Sequence, residues 1–259
     1  YLLDIVDPYD PNDPNHPTKG VAQIVGQHST HTDDPTTDNA VAATDPNTGF
    51  FSEDAQSYWS TIIDGSDVAL GGVAEQIPNS RPDGSATTDS NLHVYTDIGG
   101  SNGIDLVKIH ENNKAVISKD LLAIPTENDT YHSNLIRWMR GVDVNSASNN
   151  LRAWMGDPLH SHPGLVTYGG NDEQPILRLF VGTNDGFLHI VDAANNTTVT
   201  NPVGIGTGKE LFAFMPQELL LNQNTYYQNI LGQHPHGVDG AISFWVNDIN
   251  KDSVISGSD

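Results

Sequence analysis

The chain has 259 residues, with 33 Asp and Glu against 11 Lys and Arg, a formal charge of −22 with neutral His. Such a charge repels phosphate backbones and removes nucleic acid from the expected partners. The absence of Cys removes disulfide staples, thiolate metal sites and Cys nucleophiles together.

With 24 Gly and 15 Pro beside its many Asp and Asn, the composition favours turns, each of these residues supplying turn geometry for its own reason. A mainly β fold with a few short helices is expected rather than a helical bundle. No apolar run approaches the roughly 20 residues of a membrane helix. Tyr1 at the start and Asp259 inside a loop at the end read as the ends of a fragment.

Residues 1–57 read as a polar, Asp/Pro-rich loop or linker: Asp7-Pro8, Asp10-Pro11 and Asp13-Pro14 each disfavour helix before the proline. Residues 58–150 read as a mixed region. It holds an Asp64-Gly65-Ser66-Asp67 turn, a small helix within Val68–Gln76, and strands over 92–98 and 104–110 joined by the Gly99–Gly103 turn. Leu135, Ile136, Trp138 and Met139 fall at near-helical spacing, with Ser133 or Asn134 as cap and Gly141 as terminator.

Residues 151–259 turn to strands. Leu177–Val181, the turn Asn184-Asp185-Gly186, Phe187–Val191 and Gly208–Phe214 form a β-meander of the size of one propeller blade, and Gly240–Val246 starts another strand.

Several of these strings occur together and in order: Trp154-Met155-Gly156-Asp157-Pro158-Leu159-His160-Ser161-His162-Pro163, Tyr168-Gly169-Gly170, Phe180 to Ala193, Phe212 to Leu220, and Gly237-Val238-Asp239-Gly240. In that order they resemble the PilC/PilY family, large surface proteins of type IV pilus systems with a quinoprotein-like β-propeller. The resemblance covers about residues 56–259 and implies that 151–259 are the first blades of a partial propeller.

The sharpest candidate site is Asp248 to Asp259. Asp248, Asn250, Asp252, Ser256 and Asp259 carry side-chain oxygens at positions 1, 3, 5, 9 and 12, and Val254 offers its carbonyl at position 7. That is the spacing by which a loop wraps calcium. Ser253 stands where a glycine eases the turn, and the same residues also suit a solvated turn between strands. Asp143, Asn145, Ser148 and Asn149 read as plain loop.

Histidines pair at short spacing as His28/His31, His160/His162 and His234/His236, a pattern open to copper, zinc or nickel. No nucleophile elbow, His-Glu-X-X-His or Walker loop is present, and Gly204–Gly208 reads as a turn. Trp59, Trp138, Trp154 and Trp245 read as core or interface anchors.

The resemblance implies a non-enzymatic, extracellular pilus-tip adhesin or biogenesis factor with calcium as cofactor. Its partners would be pilus subunits, minor pilins and a host or surface receptor, with no integral membrane segment. The alternative is a cell-surface protein that holds copper or zinc through its His pairs.

Overall fold

The structure, a computed structural model, describes residues 2–7, 21–25, 44–45, 48–57, 59–65, 67, 70–82, 84–85, 91–98, 105–170, 175–194, 206–249 and 255. The chain divides into two compact units, Tyr1–Glu75 and Gln76–Asp259.

In the first unit, β1 (Leu2–Asp7) and β2 (Val21–Val25) form an antiparallel pair, Leu2 opposite Val25 and Ile5 opposite Ala22. The expected irregular N-terminal region therefore contains two strands. Their runs, Leu-Leu-Asp-Ile-Val and Val-Ala-Gln-Ile-Val, are rich in residues that suit a pleated surface, and the surrounding Asp-Pro repeats obscure that signal.

The Asp64 turn is present. Ser57 donates from its backbone N–H and its hydroxyl to the Asp64 carboxylate at 2.7 and 2.6 Å, and Gly65 donates to the Ala55 carbonyl. Helix α1 runs Gly72–Ser80, later than the expected 68–76. Gly72 has φ +59°, a left-handed conformation that a right-handed helix cannot run through, so the helix starts there. The Ser60 hydroxyl accepts the Gly72 N–H at 2.7 Å and satisfies one of the open N-terminal donors.

In the second unit the strands are β3 (Val94–Asp97), β4 (Leu106–Lys108), β5 (Gly164–Gly170), β6 (Pro175–Gly182), β7 (Leu188–Ala194) and β8 (Glu210–Met215). They form one open six-stranded sheet in the order β4-β3-β8-β7-β6-β5. Strands β5 to β8 are a continuous antiparallel meander, while β3 pairs parallel with β8 through Val94 opposite Ala213. The sheet is mixed and open and is accompanied by three helices among the described residues, so the fold is mixed α/β, more helical than the mainly β expectation, and the sheet does not show the expected partial propeller.

Helix α2 (Asp129–Met139) contacts the 3-10 turn Glu111–Asn113 and the helix Gln223–Gln228. Its Leu135, Ile136 and Met139 pack with Leu92, Val94, Ile109, Ile117, Leu122, Phe187, Ala213, Met215 and Leu220 into one buried core. Each fully buried Leu or Ile there contributes about 1.5–3 kcal/mol of transfer free energy. After β8 a 3-10 segment (Gln217–Asn222) leads into the short helix α3 (Gln223–Gln228).

The expected strand at Gly240–Val246 is not formed. Its only pairing among the described residues is an isolated parallel bridge, His162 to Ala241, after which the segment forms no ladder and Trp245 is 90% exposed.

Candidate functional site

The meander's central hairpin sets the polar interior of the second unit. Between β6 and β7 the chain turns at Thr183–Gly186, the Gly186 N–H donating to the Thr183 carbonyl at 3.0 Å and Gly186 adopting φ +100°. Asn184, Asp185 and Thr183 are buried in this turn, and Gln223 of α3 donates to the Asp185 carbonyl at 2.8 Å.

His189 on β7 and Glu210 on β8 face the same interior. His189 Nδ1 lies 2.7 Å from Glu210 Oε1, and its Nε2 lies 3.3 Å from Thr183 Oγ1. Arg81, just past α1, donates from Nε and Nη2 to both Glu210 oxygens at 2.7 and 2.8 Å. Burial works against the Glu210 charge, but the Arg81 guanidinium and the His189 hydrogen bond outweigh it and hold the carboxyl far below its ordinary range.

A carboxylate, an imidazole and a hydroxyl in sequence have the outline of a nucleophilic triad. Two facts alter its chemistry. Thr183 is fully buried, and its hydroxyl donates to Asp185 rather than standing open to a reacting atom. The Arg81 fork also neutralises the carboxylate that would stabilise an imidazolium.

Beside this network, Arg152 is clasped between Trp138 and Trp154, its guanidinium carbon 4.6 and 4.9 Å from the two ring centroids. It donates from Nη2 to the Trp138 carbonyl at 2.7 Å. Burial first, and the Arg81 charge second, bring its pKa down to about 10. Trp138 packs against the buried core, as expected of it, whereas Trp154 is 37% exposed and Trp245 stands in solvent.

A second polar group lies on the surface. His160 Nδ1 is 2.8 Å and His236 Nδ1 is 3.2 Å from the same oxygen, Oδ2 of Asp239, and the His160 backbone N–H donates to Asp239 Oδ1 at 3.1 Å. The His160 hydrogen bond, opposed by partial burial, lowers the Asp239 pKa. His234 sits nearby with Nε2 at 3.6 Å from Asp157 Oδ1. The structure therefore joins one histidine from each of two sequence pairs. His162 is exposed beside its bridge to Ala241, and His28 and His31 lie outside the described residues.

Of the expected calcium loop, Asp248 is described, and it borders a groove of apolar character with Leu165, Val166, Thr167, Phe244, Val246 and Ile255. The Ile255 N–H donates to the Thr167 carbonyl of β5 at 3.0 Å. Asn250, Asp252, Val254, Ser256 and Asp259 lie outside the described residues. Among the described residues no three His, Cys, Asp or Glu side chains stand as a ready metal cage. The Asp143 loop closes as an Asx turn, the Asn145 N–H donating to Asp143 Oδ1 at 3.0 Å.

Sequence reasoning did not single out Arg81, Arg152, Glu210 or Asp239 as site residues. The usable signal was scarcity: in a chain with only 11 Lys and Arg, an arginine bordering a strand or turn is worth matching to a carboxylate.

Comparison with family models, with curated proteins and with solved structures finds no match for this chain. No helix among the described residues is long and apolar enough to cross a membrane.

Proposed function

We propose that this chain is part of a non-enzymatic surface protein of a type IV pilus system, an adhesin or biogenesis factor similar to the PilC/PilY family. In this reading β5–β8 is one blade of a propeller and residues 248–259 are a calcium loop. The observation that carries it is the meander itself: four consecutive antiparallel strands are the unit from which propeller blades are built. The family-like strings fall on that meander and the segments entering and leaving it.

The donor set of the loop suits a hard cation, because every ligand position offers oxygen, five from side chains and one from the Val254 carbonyl. A bound ion would offset the repulsion among Asp248, Asp252 and Asp259 and hold the loop in one geometry. Ile255, within that span, is hydrogen-bonded to β5. Calcium occupancy would therefore act on the edge strand of the sheet, where pilus subunits or a surface receptor would meet it in an extracellular setting.

Calcium titration of the full chain by calorimetry tests the proposal. One ion per chain is expected, with a dissociation constant of about 10⁻⁴–10⁻³ M, as in extracellular modules. The double variant Asp248→Ala/Asp252→Ala should lose it. Calcium binding that survives this double substitution, or none at millimolar calcium, sinks the loop assignment.

A further inference from the structure

We propose that His160, His236 and Asp239 form a binding site for a borderline divalent ion, with zinc as the reference probe, separate from the oxygen-donor loop at 248–259. The two imidazoles approach one carboxylate oxygen through Nδ1 at 2.8 and 3.2 Å. In a tetrahedral zinc site, with bonds of about 2.0–2.2 Å, neighbouring ligand atoms stand about 3.3–3.5 Å apart. The His160 edge is thus about 0.5–0.7 Å and the His236 edge about 0.1–0.3 Å shorter than a coordination edge, and an ion enters by spreading the group, chiefly at His160.

The present arrangement is a hydrogen-bonded set and not a finished cage, in keeping with the absence of a ready three-ligand group. Adjustment is cheap where it is needed. The His160 and His236 side chains are 62% and 72% exposed, so their rings turn in solvent. Asp239 is the fixed member, 13% exposed, with its other oxygen held by the His160 backbone N–H at 3.1 Å. A carboxylate oriented by a second hydrogen bond is the usual support of a metal ligand.

The proton balance is simple. Each neutral imidazole moves its N–H from Nδ1 to Nε2 and offers the freed Nδ1 lone pair, and each imidazolium releases one proton to solvent. Two imidazoles and one carboxylate suit zinc, copper(II) or nickel(II), whereas calcium takes oxygen ligands. The ligands come from the segment before β5 and the segment after α3, so a bound ion cross-links two loops 79 residues apart at the His160–Asp239 contact.

Zinc titration of the full chain by calorimetry, with the melting temperature followed in parallel, tests this. One zinc per chain and a rise in melting temperature are expected, because an ion that binds only the folded chain stabilises it. His160→Ala, His236→Ala and Asp239→Asn should each weaken zinc by about tenfold or more. His160→Gln keeps a donor to Asp239 but removes a ligand, so it separates ligation from loop integrity and should also lose zinc.

His28→Ala/His31→Ala and the calcium-loop variant Asp248→Ala/Asp252→Ala should bind zinc as the parent does. Undiminished zinc affinity in His160→Ala/His236→Ala, or no uptake at sub-millimolar zinc, overturns the site without touching the calcium reading.

Discussion

Glu210 is the side chain on which burial and charge pull hardest against each other. Burial favours its neutral form, and the Arg81 fork with His189 keeps it ionised. Because the folded pKa lies below the ordinary value of 4.5, the stabilisation is present above about pH 4.5. It is lost as pH falls toward the folded value, since the unfolded chain takes up the proton first. Urea unfolding from pH 7 to pH 3 should show a steep loss of stability that Glu210→Gln flattens. At neutral pH the same substitution leaves Arg81 buried without its counter-charge and should cost about 3–5 kcal/mol. Equal pH slopes in parent and variant would show that other carboxylates govern the acid limb.

Among the elements, α2 separates what periodicity reveals from what it does not. Leu135, Ile136 and Met139 were legible as a buried face, and Gly141, at φ +101°, does end the helix. The start was misplaced. The side chain of Asn128 accepts the Tyr131 N–H at 2.9 Å, so the cap lies one turn and more before Ser133. The first turn, Asp129 to His132, is polar and carries little apolar signal to mark it. Asn128→Ala should therefore cost about 1 kcal/mol, while Ser133→Ala, now inside a helix, should change stability by no more than about 0.5 kcal/mol. Thermal unfolding of the two variants decides it; a larger loss at Ser133 would return the cap to that residue.

The meander was legible for the same reason that α2's face was: its signals are local. The Asn184-Asp185-Gly186 turn sits between two apolar runs, and hairpin pairing needs only a turn and alternating neighbours. The Gly240–Val246 run has the same composition, yet it makes one bridge and no ladder. Strand propensity describes a fit to a pleated surface and cannot supply the neighbouring strand.

Across the chain the dominant physical fact is the charge of −22. Self-repulsion of that size opposes compaction, and salt relieves it. Raising ionic strength from about 0.01 M to about 0.15 M shortens the screening length from about 30 Å to about 8 Å. The melting temperature should rise over that range in sodium chloride, with no divalent ion present. A fall instead would mean that particular ion pairs, such as Lys119–Asp129 at 2.7 Å, outweigh the general repulsion.

The sequence by itself determined the features that depend on near neighbours: a turn-rich, cysteine-free, strongly acidic chain, the three-strand run from β6 to β8, and the buried face of α2; β5 emerged only in the structure. Tertiary structure alone decided the parallel pairing of β3 on β8, which brings together Val94 and Ala213 across more than a hundred residues. It also decided which charges are interior. Arg81 and Glu210 are ordinary polar residues in the sequence, and only the folded chain places both out of water with their charges matched. The histidines show the same division. His-X-His spacing marked His160 and His236 as metal-capable, but Asp239 became their shared partner through chain folding, which no spacing rule encodes.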